Sequence, residues 1–363
     1  MKTSVISMIG IQNYGSVLQV FATKKKLEEY TDNVEIINNI QNSRLVDIVG
    51  NNGRNPFRLL VSIISCFFYA HIFKNMKNKY LNMSTYIYSS KKDFDEYNAD
   101  ADIYCVGSDQ LWNTDYCRHM YLAARFLGFI PEGKRKFAFS SSFGKEHVDN
   151  TTVAQTKGWI HQFERISVRE ESGVKILKEQ YDYPNAVHLV DPTLAMPPEF
   201  WRRYAPKPRI VGQYILVFQL TRNRKAETFA KKLSKKTELP LVHLCSRFSQ
   251  ILLHGKKILF PPYFELISLI DNARYVLTDS FHGAAFSMNL NTEPIIFLYR
   301  SNPGRITNLL RLLDAEQRVV SDFNDFDIVN RPVDFEHINN VLAKERERVD
   351  EFLRGVFHRE SET

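Results

Sequence analysis

His282 is the residue of this chain best suited by type and setting to move a proton. It lies in Thr278-Asp-Ser-Phe-His-Gly283, where a short apolar run from Tyr275 stops at small and polar residues. An imidazole changes charge near neutral pH, so it can act as acid or base without an extreme environment. Apolar residues then recur at helical spacing from Ala284 to Leu290, and a second apolar run follows from Glu293 to Tyr299. The pattern predicts a strand–loop–helix–strand unit with Asp279, Ser280 and His282 at the strand's carboxyl end. That edge is where open parallel sheets bind ligands. Gly283 is expected to let the backbone approach a ligand, and the N–H groups of the following helix favour an anion. The plain alternative is a Ser280 helix cap beside a bystander histidine.

The other candidates also stand at the ends of apolar runs. Arg169 follows Ile166 to Val168, and Arg305 follows the run that ends at Tyr299. A guanidinium grips a carboxylate or phosphate through two parallel hydrogen bonds. Asp102 to Val106 runs into Gly107-Ser-Asp-Gln-Leu-Trp-Asn113. With Ser108, Asp109 and the Trp112 indole, that segment has the composition of a sugar-binding lip. Asn13 and Tyr14 stand at the first strand-to-helix turn, where the backbone can cradle an anion or a sugar; a bare turn permitted by Gly15 competes with that reading. A serine-hydrolase role for Ser280 and His282 fails for want of a nucleophile elbow. No histidine pair has ligand spacing, so no metal is expected.

The elements that must hold these residues alternate. Thr3 to Ile9 reads as a strand, Val17 to Tyr30 as a helix and Val34 to Ile37 as a strand, an opening that argues for a parallel sheet. Strands at 136–139, 166–168 and 187–190 follow, the last ending in Asp191-Pro-Thr193. A proline cluster (Pro197, Pro198, Pro206, Pro208) marks a linker, and a second series follows with strands at 214–219, 241–244 and 257–260. The expected domains are therefore 1–196 and 213–335, joined by 197–212, with a charged amphipathic helix in 336–363. Leu59 to Phe73 is the most apolar stretch, followed by Lys74, Lys77 and Lys79. It falls short of the roughly 20 apolar residues that span a bilayer. A helix buried against the sheet is the expectation, and a helix lying in a membrane interface, anchored by the lysines through residue 79, is the alternative.

Composition sets the bounds. A chain of 363 residues favours two domains over one core. With 44% hydrophobic and 25% charged residues it has the make-up of a soluble globular protein. The net charge of +7 suits anionic ligands or anionic lipid. No zinc-finger spacing or long basic arm points to nucleic acid. The 26 Phe and 17 Tyr are used in cores more often than on ligand-facing surfaces. Four scattered cysteines and the lack of a long apolar stretch after Lys2 fit a cytoplasmic protein.

Five segments in series carry a resemblance. Asn13-Tyr-Gly-Ser-Val-Leu-Gln19, Val106-Gly-Ser-Asp-Gln-Leu-Trp-Asn113, Ser167-Val-Arg-Glu170, Val190-Asp-Pro-Thr193 and Thr278-Asp-Ser-Phe-His-Gly283 resemble motifs of the polysaccharide pyruvyl transferase family, over roughly residues 3–315. The resemblance implies an α/β fold of two Rossmann-like domains facing a cleft, like glycosyltransferases of the B type, with the last helix returning to the first domain. It implies a phosphoenolpyruvate-dependent transferase that forms a cyclic pyruvate ketal on two sugar hydroxyls in capsule or exopolysaccharide biosynthesis. Phosphoenolpyruvate is then a co-substrate and no cofactor is needed. The sugar acceptor is free, polymeric or lipid-linked, the last placing the protein at the inner face of the membrane. By similarity, His282 transfers the proton, Arg169 holds the donor's anionic groups and Asp109 joins them in catalysis. Ser280, Gly283 and Arg305 complete the donor side, and Asn13, Tyr14, Ser108, Asp109 and Trp112 the acceptor side. Many members carry an arginine where this chain has Ser280, so either Ser280 with the loop amides or Arg305 must replace its charge. A nucleotide-sugar glycosyltransferase of the same architecture, or a non-catalytic polysaccharide-assembly protein, remains the alternative.

Overall fold

Short, mostly buried apolar runs alternate with helices through most of the chain, and they assemble as two all-parallel sheets. The computed structural model describes residues 1–9, 13–39, 56–96, 100–115, 121–298 and 304–358. Gly10 to Gln12 of the expected first loop, Cys117 and Tyr299 lie outside them. The chain divides into two units: Met1–Asn51, Lys74–Ala195 and Lys344–Thr363 form unit 1, and Asn52–Phe73 and Met196–Ala343 form unit 2.

Unit 1 is built on seven strands: β1 (Lys2–Ile6), β2 (Asn33–Asn38), β3 (Met83–Ile87), β4 (Ile103–Val106), β5 (Arg135–Ser141), β6 (Arg165–Val168) and β7 (Val187–His188). Their order is β3-β2-β1-β4-β5-β6-β7. The chain thus works outward from β1 in one direction and then, from β4, in the other. The order reverses between β1 and β4, and the carboxyl ends of strands at such a point are where open parallel sheets bind ligands. Helix α1 (Tyr14–Leu27) follows β1 and is buried along almost its whole length. The core joins strand residues such as Ile6, Val106 and Ile166 to a cluster of rings, with Trp112 stacked on Phe126 and Tyr88 packed on Phe94. Part of the aromatic surplus is spent here.

Helix α2 (Pro56–Met76) differs from the expected buried helix. Ser65, Tyr69 and Phe73 are buried at four-residue spacing, but Leu60, Ile63, Ile64, Phe67 and Phe68 are exposed. Both faces of this helix are apolar, so composition could not say which one would be covered. By length and composition it is the one helix among the described residues able to cross a membrane.

Unit 2 carries β8 (Ile215–Phe218), β9 (Leu241–Cys245), β10 (Lys256–Leu259), β11 (Tyr275–Thr278) and β12 (Glu293–Ile296), ordered β10-β9-β8-β11-β12. Here the order reverses between β8 and β11. Helix α3 (Arg224–Thr237) buries Phe229 and Leu233 against this sheet, and Phe229 stacks on Phe326. Helix α4 (Phe281–Asn289) follows β11, and α5 (Gly304–Leu312) comes after β12. The proline-rich segment is more than a linker: Pro198 starts a helix through Tyr204, a position where its missing N–H costs nothing. Trp201 of that helix is buried, edge-on to Phe286.

The last helix, α6 (Phe335–Phe357), packs on unit 1 through its second half. Tyr30 donates to Asp350 at 2.6 Å and stacks on Phe357, which also meets Phe137 edge-on. The expected return of the final helix to the first domain is therefore observed.

Candidate active site

In unit 2 the loops after β8 and β11 meet at the switch point and are tied by one carboxylate. Asp279 accepts hydrogen bonds from the Leu220 and Thr221 amides at 2.7 and 3.0 Å. Burial pushes its carboxyl pKa up, and these two amides act against that shift. Ser280 caps α4, its hydroxyl accepting the Gly283 amide at 3.3 Å while its own amide donates to Thr278. Its oxygen is therefore engaged in the cap, as the plain reading of this loop has it. His282 stands in the first turn of α4, buried, with its ring edge-on to Phe281.

Gly283 has a packing task. A Cβ there would lie 2.3 Å from the Thr278 hydroxyl and 3.0 Å from Phe218. The glycine lets α4 sit close on β8 and β11, and so fixes where His282 stands.

Arg305, at the start of α5, lies over the Phe281 ring at 5.8 Å, beside the histidine. Arg222, in the loop after β8, pairs with Glu227, and Arg247, after β9, reaches the Leu220 carbonyl at 3.3 Å. Three of the five strands thus deliver an arginine beyond their carboxyl ends, on the edge that carries His282. Arg222 and Arg247 escaped the sequence reading. The usable signal was position, since each stands within four residues of the end of an apolar run.

Unit 1 gathers four of the resembling segments into one buried network. The Arg169 side chain is 0% exposed. It donates through Nη2 to Asp109 at 2.9 Å and through Nη1 to Asp191 at 2.7 Å, and Glu170 lies 3.9 Å from its Nε. Burial alone would lower the guanidinium pKa, but Asp109, Asp191 and Glu170 together raise it, so the group stays charged. Each carboxylate is held further. Asp109 accepts from Ser16 and the Gln110 amide, Asp191 from Ser108 and from both Thr193 donors, and Glu170 from Ser142 and the Gly144 amide. Asp109 also adopts a left-handed φ of 76°, a strain that persists because its surroundings over-determine it.

Several expectations for the acceptor and donor sides change as a result. The Arg169 fork already holds two carboxylates, so it organises the carboxyl edge of unit 1 from inside and has no free fork for a donor. Trp112 is 1% exposed, and its indole donates to the Arg125 carbonyl at 2.9 Å between Phe126 and Phe143. It is core, not a lip. Tyr14 is likewise buried at 1% exposure, and Asn13 caps α1 by accepting the Gly15 amide. Ser108 and Asp109 do stand at the switch point between β1 and β4, with the Ser7 hydroxyl donating to the Ser108 carbonyl. Asp191, Glu170 and Ser16 belong to this network and were not singled out from sequence, although each lies within one of the resembling segments.

The two edges differ in sign. One guanidinium is set among three carboxylates at the end of sheet 1. At the end of sheet 2, three guanidinium groups accompany two carboxylates, Asp279, itself bound by amides, and Glu227, which pairs with Arg222. Burial pushes the Cys245 thiol up to about 12 and the Cys105 thiol upward as well, which leaves both inert. No group of three His, Cys, Asp or Glu residues able to hold a metal occurs among the described residues.

Solved structures share this two-sheet architecture. The UDP-N-acetylglucosamine 2-epimerase of Rickettsia bellii aligns over 99% of this chain and 100% of its own, at 12% identity and a TM-score of 0.53. The UDP-GlcNAc 2-epimerase of Neisseria meningitidis, bound to UDP-GlcNAc, covers 98% and 100%, at 12% identity and 0.52. At such identity the likeness concerns the fold, the glycosyltransferase-B-like pairing of two α/β domains. No curated protein sequence matches the chain significantly. A sequence model of the polysaccharide pyruvyl transferases matches residues 13–302. That span takes in the buried arginine network and the His282 loop, and the chain belongs to the polysaccharide pyruvyl transferase family.

Proposed function

We propose that this transferase moves the carbon skeleton of phosphoenolpyruvate onto two hydroxyls of a sugar, forming a cyclic pyruvate ketal in the cytoplasmic assembly of a cell-surface polysaccharide. The observation that carries the reading is the cationic edge of unit 2, where Arg247 and Arg305 flank the loop that holds His282. Phosphoenolpyruvate brings a carboxylate and a phosphate, and guanidinium groups suit both. Arg305 supplies the charge that other members place at the position of Ser280. The carboxylate-rich edge of unit 1 would repel such a donor and suits the neutral hydroxyls of an acceptor, with Ser108 and Asp109 nearest its switch point.

In the reaction, a proton adds to the terminal enol carbon and makes it a methyl group, while the first sugar oxygen bonds to C2. The second sugar oxygen then bonds to C2 as the C2–O bond to phosphate breaks. The two hydroxyl protons balance the one taken up by the methyl group and the one carried by the departing phosphate. His282 delivers the proton to carbon, and Arg305 holds the anionic groups of the donor. Arg169 is a positioning residue, fixing Asp109 and Asp191.

Thermal denaturation tests the donor class, since a ligand that binds only the folded state raises the melting temperature. Phosphoenolpyruvate should stabilise the protein more than UDP-sugars do, and Arg305→Ala should remove most of that stabilisation. Losing one charged hydrogen-bonding partner, about 1.5–3 kcal/mol, corresponds to roughly 10- to 150-fold in donor affinity. Stabilisation by UDP-sugars alone would favour a nucleotide-sugar transferase on the same architecture, the ligand class seen in the Neisseria epimerase.

A further inference from the structure

The exposed side of α2 does not stand alone. Phe68 stacks on Phe260, with centroids 5.4 Å apart, and meets Phe248 edge-on at 5.6 Å. Phe248 opens a short 3-10 turn, Phe248–Leu252, directly after β9, and that turn ends in Ile251 and Leu252. Phe67 is 73% exposed and Leu252 90% exposed. With Leu60, Ile63, Phe68 and Ile251 also exposed, two elements of unit 2 present one apolar surface joined through stacked rings. An isolated exposed leucine is ordinary, but a contiguous patch of this kind marks an interaction surface.

Charge identifies what the surface fits. No Asp or Glu occurs from Ile48 to Lys92, or from Leu239 to Phe264, the two stretches that build the patch. Arg247, His254 and Lys256 border the apolar turn and are exposed. Lys74, one turn beyond the exposed part of α2, is exposed as well. Apolar side chains bordered by cations, on two stretches that carry no carboxylate of their own, match a bilayer surface carrying anionic headgroups. A helix that crossed the bilayer would have to leave its bed and uncover Tyr69, which is 0% exposed and edge-on to Phe260. The helix therefore lies along the surface.

We infer that unit 2 docks on an anionic membrane through α2 and the turn Phe248–Leu252, with the rings of Phe67 and Phe68 and the side chain of Leu252 entering the headgroup region. Phe248 follows β9 and Phe260 follows β10, so the stacked rings of the patch stand past the carboxyl ends of those strands, on the sheet edge that also carries Arg247 and the His282 loop. Docking would bring that edge close to saccharides carried on lipid. The inference stands on surface residues alone and does not depend on the identity of the donor.

Flotation of the full chain with phosphatidylcholine vesicles, with and without phosphatidylglycerol, tests it. The protein should bind the anionic vesicles at low salt and release at high salt, because screening weakens attraction between exposed charges. The double variant Phe67→Ser, Leu252→Ser alters only exposed side chains and should weaken binding by at least roughly tenfold, as less apolar area enters the lipid. Lys256→Gln should weaken it by about fivefold, the worth of one surface cation near anionic lipid. Unchanged melting temperatures keep both comparisons on folded protein. No binding to anionic vesicles at low salt, or undiminished binding by the double variant, would overturn the inference. A concentration-dependent dimer that the double variant abolishes, with no lipid binding, would also overturn it and assign the face to a second copy.

Discussion

Replacing Arg169 by methionine separates its two possible roles. The side chains of Asp109, Asp191 and Glu170 are 5%, 0% and 2% exposed around a guanidinium at 0%. Methionine fills similar volume but leaves those carboxylates buried without their shared cation. Removing one partner of a buried ion pair costs about 3–5 kcal/mol, because the remaining charge is uncompensated. At roughly 2–4 °C per kcal/mol for a unit of this size, the melting temperature should fall by about 6–20 °C. Arg169→Lys keeps the charge but cannot bond two carboxylates in the fork geometry, so an intermediate loss is expected. The assay is thermal and urea denaturation of each variant, paired with donor affinity measured where the protein is folded. Donor affinity in the folded methionine variant should stay within a few-fold of wild type. A melting temperature that hardly moves, together with lost phosphoenolpyruvate binding, would refute the reasoning and return Arg169 to the donor.

The remaining predictions address other parts of the molecule. His282→Ala should lower kcat by roughly 10²–10⁴-fold, the range of general acid–base catalysis, with donor affinity better preserved than turnover; near-normal turnover at unchanged stability would remove the imidazole from the mechanism. Trp112→Ala should destabilise by about 3–5 kcal/mol in denaturant titrations, as a buried aromatic does, and a selective loss of sugar affinity without that cost would restore its expected place at the surface. Burial lowers the Lys136 ammonium to about 8, so the unfolded chain holds more protons than the folded one above that pH. Wild type should therefore gain stability relative to Lys136→Met as pH rises from about 8 toward the ordinary lysine pKa of about 10.4, and parallel stability curves would contradict it.

The sheet strands were readable because strands buried on both faces of a parallel sheet become continuous apolar runs. β8 and β11 illustrate this, with Ile215 to Phe218 and Tyr275 to Thr278 buried throughout. β3 was passed over, since Met83 to Ile87 mixes polar and half-exposed residues and pairs only at the sheet's margin. The position of His282 was legible from the same local pattern. The state of Arg169 was not, because Asp109 lies 60 residues away and Asp191 lies 22 away. Only the parallel order of β4, β5, β6 and β7 brings them to one edge. Trp112 was misplaced for a similar reason. Its neighbours in sequence are polar, while the rings that bury it, Phe126, Phe143 and Phe163, come from later segments. Gly283 shows a third limit: a glycine marks a close approach but does not say whether ligand or strand approaches.

The most direct test of the central claim follows carbon. Phosphoenolpyruvate labelled with ¹³C at C2 is incubated with the purified protein and lipid-linked or free saccharide acceptors, and the products are read by NMR and phosphate assay. The account predicts that the label appears in a quaternary carbon bonded to two sugar oxygens and a methyl group, with one inorganic phosphate released per ketal formed. Release of UDP from a nucleotide sugar, with the labelled phosphoenolpyruvate unconsumed across the same acceptors, would contradict it.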